Sequence, residues 1–247
     1  LLALGQQVSG YCAPEGWTDH AQAERGKWTA YVAENTRLGN GAASYAQAIG
    51  VVNALCDPRD RVVAAAGGLP AEVTANWKTL DIGTVDVEFG FSCMGYEIAG
   101  GWGARIAQSE AEPDNDTIVF TGDGSYLLMN SDIYSSVLTE KKLIVLVLDN
   151  GGFAVINKLQ NNTGNQSFNT LIADTPTATR QVGVDFEAHA KSLGAEAETV
   201  EMSGLAAAFK RAKASDRTYV ICAKVDPYEG WTTEGHAWWE VGTPHIT

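Results

Sequence analysis

Short runs rich in β-branched and aliphatic residues recur along the chain at 61–66, 84–88, 117–120, 143–148, 197–200 and 218–225, separated by glycine, proline and polar clusters. Runs of this length and composition predict buried strands. Between them lie segments of helical spacing at 42–56, 72–77, 97–107, 130–139, 185–195 and 204–214. Strands that alternate with helices become parallel neighbours joined by crossovers. The pattern therefore predicts an α/β fold, a doubly wound six-stranded parallel sheet with helices on both faces.

Residues 1–44 stand outside this alternation and predict a helical arm or linker from a preceding domain. Thr18 is placed to cap a helix running through Trp28 and Val32, with Asp19, Glu24, Arg25 and Lys27 on a solvated face, and Gly39 and Gly41 break the pattern. Residues 45–225 form the sheet domain. Residues 226–247 form an aromatic-rich tail whose Trp231, His236, Trp238 and Trp239 suit docking on a partner or covering a site mouth.

The segment 116–152 carries the most chemistry. Strand 117–120 runs into the tight turn Gly122-Asp123-Gly124-Ser125, a helix follows at 130–139, and strand 143–148 ends at Asp149-Asn150-Gly151-Gly152. Asp123 and Asn150 thus leave the carboxyl ends of two parallel strands, where open α/β sheets bind ligands. Gly122 and Gly124 let the backbone approach a ligand closely, and free N–H groups at the next helix suit phosphate. A carboxylate beside a phosphate needs a cation between them, and magnesium fits because it takes few protein oxygens and fills its shell with phosphate and water.

This turn, helix, strand and Asn-Gly-Gly order, with Asp123 and Asn150 twenty-seven positions apart, resembles the signature of the thiamine diphosphate enzymes in their diphosphate-binding, carboxyl-terminal domain. The resemblance implies that Asp123, Asn150 and the Gly152 carbonyl hold Mg2+ and that Ser125, with Gly122 and Gly124, lies along the diphosphate. The family often has Asn where this chain has Asp149, a departure expected to be harmless because the ligand is the second residue. GGLPAEVTANW resembles the GQHQ-type turn of the acetohydroxyacid synthase branch, with Gly68 and Leu69 in place of Gln and His, so contact there comes from backbone; a plain strand-to-helix turn is the alternative. In FSCMGYEIAGG, Met94 inherits the role of propping the cofactor and Ser92 that of meeting its aminopyrimidine, although a lone Met more often fills core. Phe153, Ala154 and Val155 open a helix facing the diphosphate, with Val155 against the thiazolium. The polar stretch 158–166 is a loop that either reaches substrate or is simply solvated, and His189 is structural.

Glycines 95, 100, 101 and 103 cost helix 97–107 roughly 1 kcal/mol each against Ala, so close packing is expected to compensate. Within the family, the strings GKWTAYVAEN, MNSDIYSSVL, NGGFAVINKLQ and GHAWWEVG are similar to the branch that hydrolyses a C–C bond of a small polyhydroxylated cyclic dione in inositol catabolism. Another thiamine diphosphate enzyme, a carboligase or 2-oxo acid decarboxylase, would share every metal and diphosphate residue. A non-catalytic nucleotide-binding module fits less well, because Gly122-Asp123-Gly124 lacks the third glycine of GxGxxG.

Composition narrows the picture in three places. A formal net charge of −13 and a pI near 4.6 disfavour nucleic acid and anionic membrane as partners. Cysteines at 12, 56, 93 and 222 have neither metal-ligand nor disulfide-scaffold spacing, which points to a reducing cytoplasm. The start, Leu1-Leu2-Ala3-Leu4, lacks a basic n-region and an initiator Met. The expectation is a carboxyl-terminal portion of an enzyme of roughly 600 residues. Its activating Glu would come from a pyrimidine-binding domain of the same polypeptide or of a second subunit, so this chain alone would hold no catalytic residue and be inactive; the complete enzyme would be a homodimer or homotetramer.

Overall fold

A computed structural model of the protein describes residues 1–39, 42–180 and 182–228. Gly41 and the aromatic residues Trp231, His236, Trp238 and Trp239 lie outside the described residues. Residues 1–35 and those from 36 onward form two compact units.

The first unit holds α1 (Leu2–Gln7) and α2 (Glu15–Asn35). Pro14 rather than Thr18 opens α2: the backbone N–H groups of Trp17 and Thr18 both donate to the Pro14 carbonyl, which places Thr18 inside the helix. Glu24 pairs with Lys27 at 2.7 Å, and Trp28 stacks at a tilt on Tyr31.

The second unit is built on six strands: β1 (Arg61–Ala64), β2 (Val85–Val87), β3 (Thr117–Gly122), β4 (Ile144–Asp149), β5 (Glu196–Val200) and β6 (Tyr219–Lys224). They pair in the order β2-β1-β3-β4-β6-β5, and every pairing is parallel, as the strand pattern predicts. Helices α3 (Tyr45–Asn53), α4 (Leu69–Asn76) and α10 (Leu205–Ala214) pack on one face, around Val62, Ile118, Phe120, Leu146 and Ile221. Helices α5 (Tyr96–Ala111), α6 (Asp123–Leu128), α7 (Asp132–Leu138) and α9 (Phe186–Ser192) meet the other, around Val63, Val119, Val145, Val147 and Val220. Consecutive strand residues thus feed alternate cores. Each fully buried Val, Leu or Phe contributes roughly 1.5–3 kcal/mol, which makes β3 and β4 the rigid centre of the unit.

Several local readings change. Gly122-Asp123-Gly124-Ser125 is a direct passage from strand into helix, with Asp123 already the first residue of α6. Pro70 sits in the first turn of α4, where its missing N–H costs nothing, so that helix starts three residues before 72. The stretch 158–166 is largely helical, because α8 (Ala154–Asn162) runs through its first half. Two asparagines of α8 are tied down by hydrogen bonds: Asn161 donates to Asn157 at 3.0 Å, and Asn157 donates to Thr170 at 3.0 Å. In α5 the glycines answer differently. A Cβ on Gly101 would come within 2.4 Å of Val119, so this glycine does permit close packing on β3, whereas at Gly103 a Cβ would meet nothing within 4 Å.

At the amino ends of β1 and β3 a charge cluster latches the sheet. The fully buried Asp60 carboxylate accepts from the backbone N–H groups of Asp57 and Asp116, both at 2.8 Å, and from Lys213 at 2.6 Å. Lys213 also reaches Asp57 and Asp116, while Lys142 holds Asp116 at 2.9 Å. Removing Asp60 leaves two backbone donors and part of a buried ammonium unpaired. Asp60→Ala should therefore destabilise the chain by about 3 kcal/mol in urea unfolding, and a loss under about 1 kcal/mol would contradict this role.

Candidate functional site

Register decides what meets at the carboxyl ends of the strands. Gly122 of β3 lies opposite Leu148 of β4, so Asp123 and Asn150 emerge side by side from adjacent parallel strands. The chain moves from β1 outward to β2 and returns to β3 on the other side of β1, so the topological switch point lies between β1 and β3, next to the strand end from which Asp123 emerges.

Asp123 is 5% exposed. Among the described residues, four buried side-chain polar atoms lack a hydrogen-bond partner, and two of them are Asp123 Oδ1 and Asn150 Oδ1. Burial and the neighbouring Asp149 carboxylate push the Asp123 carboxyl up to about 6, although the backbone N–H groups of Asn150, Gly152 and Gly124 turn toward it and oppose the shift. Asp149 is therefore not electrically neutral to the site. Its charge is compensated by Lys224 at 2.8 Å and by the Gly151 N–H at 2.9 Å.

Two partnerless oxygens, one from a carboxylate and one from an amide, suit a hard divalent cation such as Mg2+ that completes its shell elsewhere. Among the described residues no cluster of three or more His, Cys, Asp or Glu exists that would hold a metal by itself. Both oxygens are almost wholly buried, but the backbone of the two turns is uncrowded: a Cβ on Gly122 or Gly151 would meet nothing within 4 Å. The donor set and the open backbone thus fit a magnesium-bridged diphosphate.

The remaining predicted residues distribute unevenly. Met94, Gly124 and Phe153 converge, since a Cβ on Gly124 would come within 2.7 Å of the Phe153 ring and 3.5 Å of Met94 Cε. Phe153 is half exposed, Ala154 is buried and Val155 is intermediate, at the start of α8. Gly152, at φ 147°, backs onto the carbonyl of Thr170, where the Phe153 N–H donates at 2.7 Å. Ser92 adopts the left-handed φ of 51° in a loop closed by Glu88, which accepts from the N–H groups of Phe91 and Cys93. Leu69 is 1% exposed and lies in the core, so its side chain is not offered to a ligand, and Gly68 supplies the N-cap of α4. His189 bonds the buried Tyr126 hydroxyl at 2.9 Å.

Ser125 departs from expectation in one respect. Its hydroxyl donates to Glu97 at 2.9 Å and accepts from the Gly95 N–H at 3.3 Å, which leaves its backbone N–H, not its proton, for a diphosphate. Glu97 was not legible as a site residue. It is 1% exposed, and its carboxylate also accepts from Ala66 N at 3.1 Å and Gly95 N at 2.9 Å, tying together the segments after β1, before α5 and after β3. Its signal in the sequence is faint, an acid in the first turn of a glycine-rich helix. Tyr45 was missed as well: its hydroxyl accepts from Asn150 Nδ2, and its ring lies against Gly68. Burial, then the Asp123, Glu72 and Asp149 carboxylates, raise its pKa, so the phenol is neutral.

With this geometry in place, comparison with known proteins is decisive for the family. Residues 71–223 match the model described as thiamine pyrophosphate enzyme, C-terminal TPP binding domain, and the chain belongs to that family. Over 205 residues it is 36% identical to a 3D-(3,5/4)-trihydroxycyclohexane-1,2-dione hydrolase of Bacillus cereus, covering 81% of this chain and 31% of the relative. The corresponding hydrolase of Bacillus anthracis is 35% identical with the same coverage. The chain thus spans about a third of the length of these curated relatives. Among solved structures, benzoylformate decarboxylase from Polynucleobacter necessarius superposes with a TM-score of 0.66 at 18% identity, over 78% of this chain and 34% of that one. A thiamine diphosphate-dependent 4-hydroxybenzoylformate decarboxylase of Rhodococcus jostii gives 0.62 at 21%, over 76% and 34%. At these identities the likeness concerns the fold.

Burying Asp123 beside Asp149 has a measurable cost in the absence of a cation. With its folded pKa raised above the unfolded value, Asp123 contributes stability that is fully present below about pH 4 and lost as pH rises through about 6. In EDTA, Asp123→Asn should therefore stabilise the chain by about 2–3 kcal/mol at pH 7 and by almost nothing at pH 4. A gain that does not depend on pH would contradict this electrostatic reading.

Proposed function

We propose that this chain is the diphosphate- and magnesium-binding portion of a thiamine diphosphate-dependent hydrolase that opens trihydroxycyclohexane-1,2-dione to 5-deoxyglucuronate in inositol catabolism. The observation that carries the cofactor assignment is the pair of partnerless oxygens, Asp123 Oδ1 and Asn150 Oδ1, at the ends of two adjacent parallel strands. The substrate assignment is supported by the 35–36% identity to the Bacillus dione hydrolases.

In this reading Asp123, Asn150 and the Gly152 carbonyl hold Mg2+. The backbone at Gly68, Leu69, Gly122, Gly124 and Ser125, with Phe153 and Ala154, lines the diphosphate. Ser92, Met94 and Val155 flank the rings. When bound, thiamine diphosphate supplies the electron sink for breaking a C–C bond beside a carbonyl, and the protein supplies position and electrostatics. Met94, held against Gly124 and Phe153, sets the shape of the cavity in which the rings lie. Glu97 holds Ser125 and Gly95 in register, so the amides nearest the phosphates do not shift when charge arrives. Lys224 keeps Asp149 paired, which leaves Asp123 as the carboxylate free to meet the cation.

The activating Glu and the pyrimidine pocket belong to a second domain, of the same polypeptide or of another subunit in a homodimer or homotetramer, working in the cytoplasm. Four unpaired cysteines and the lack, among the described residues, of a helix long and apolar enough to cross a membrane accord with that setting.

In the complete enzyme, Asp123→Ala and Asn150→Ala should each abolish magnesium-dependent retention of thiamine diphosphate, followed by calorimetry, together with dione hydrolysis. Retention unchanged in both variants would remove the metal site. A product other than 5-deoxyglucuronate would keep the site and reassign the reaction to another thiamine diphosphate enzyme. The 247-residue chain alone should show no hydrolysis.

A further inference from the structure

Two carboxylates divide the N–H groups of the turn after β4. Those of Asn150 and Gly152 turn toward Asp123, and the one between them, that of Gly151, donates to Asp149 Oδ1 at 2.9 Å. Gly151 stands at a φ of 77°, in the left-handed region, and its carbonyl accepts from the Ile172 N–H at 2.9 Å. Its N–H and its carbonyl are thus both engaged.

Asp149 suits the part of an anchor because it is itself fixed. Its carbonyl accepts from the Val225 N–H at 2.9 Å, and its Oδ2 accepts from Lys224, its register partner on β6, at 2.8 Å. Both of its carboxylate oxygens are engaged, in contrast to Asp123 Oδ1.

We propose that Asp149 is a positioning residue for the candidate cation site: by accepting from the Gly151 N–H it fixes the turn that carries Asn150 and Gly152. The proposal rests on the cofactor reading above and extends it to a residue that contributes no ligand. The direction of the bond is not reversible, since a backbone N–H only donates and a carboxylate only accepts. A side chain that accepts from an N–H two residues on closes a turn, and here that turn carries two of the three candidate ligands. Released from Asp149, Gly151 regains the wide backbone freedom of glycine, and the groups on either side of it lose their fixed spacing.

The rival role for Asp149 is electrostatic, because a negative charge near Asp123 attracts a cation whatever the turn does. Lys224 allows the two roles to be separated. Asp149→Asn combined with Lys224→Gln removes one charge of each sign and keeps an acceptor, because the donor-only Gly151 N–H selects the amide oxygen. Asp149→Leu combined with Lys224→Gln removes the same charges and keeps the branched shape, but offers no acceptor.

The test is Mn2+ binding to the complete enzyme in excess thiamine diphosphate, read by electron paramagnetic resonance, with amide hydrogen exchange followed in the metal-free protein. The Asp149→Asn pair should bind Mn2+ within about threefold of the unaltered enzyme, and the Asp149→Leu pair about 10–100-fold more weakly. In the Asp149→Leu pair the Gly151 amide should exchange several-fold faster, while the amides of β4 exchange alike in both. Equal Mn2+ affinity in the two pairs overturns the proposal, as does equal exchange at Gly151. Faster exchange throughout β4 in the Asp149→Leu pair marks a packing defect and overturns it too. Asp123→Ala tells the two levels apart: if it binds Mn2+ like the unaltered enzyme, the cation site falls and takes the proposal with it. If it loses Mn2+ while the two pairs match each other, the cation site stands and only the role of Asp149 is removed.

Discussion

Parallel pairing of β3 with β4 is the constraint on which the rest depends. A parallel ladder admits no slip of one residue without turning every side chain to the opposite face, and here both faces are fully apolar cores. Six consecutive residues of each strand are thereby locked, and the first residues released, Asp123 and Asn150, emerge as neighbours. The position of two oxygens at a crevice is in this sense a by-product of packing valines and leucines on two sides of a sheet.

Charge is divided between the two ends of that sheet. At the amino ends, Asp57, Asp60 and Asp116 are matched by Lys142 and Lys213, and buried backbone donors complete the cluster, so the charge there serves stability. At the carboxyl ends, Glu97 is satisfied by two N–H groups and a hydroxyl, and Asp149 by a lysine, but Asp123 Oδ1 is not satisfied at all. One partnerless oxygen, on a carboxyl whose pKa stays raised despite the backbone N–H groups turned toward it, concentrates strain where a ligand binds. The chain is acidic as a whole, yet an anionic cofactor is compatible with it because a divalent cation neutralises phosphate locally.

The sheet was legible because β-branched runs bounded by glycine and proline leave few alternatives, and the order of GDG, helix, strand and Asn-Gly-Gly located the crevice. Boundaries were less so. The helix through Lys158 was hidden by asparagines, which disfavour helices in isolation and here bond one another and Thr170. The helix start at Asp123 was hidden by glycines that suggest a turn. Ser125 was placed at the diphosphate by motif, but the bond that occupies its proton comes from Glu97, twenty-eight residues earlier, and no periodicity announces such a pair. Tyr45 lies 105 positions from Asn150, and only the closed sheet brings them together.

The central claim is that Asp123 and Asn150 share one divalent cation. Crystals grown with thiamine diphosphate and Mn2+ in place of Mg2+ give an anomalous signal that locates the ion directly. The account predicts a single peak at about 2.1 Å from an Asp123 carboxylate oxygen and from Asn150 Oδ1, with diphosphate oxygens completing the shell. Cofactor bound in the crevice with no peak at those two atoms, or with Mn2+ held by other residues, would contradict it.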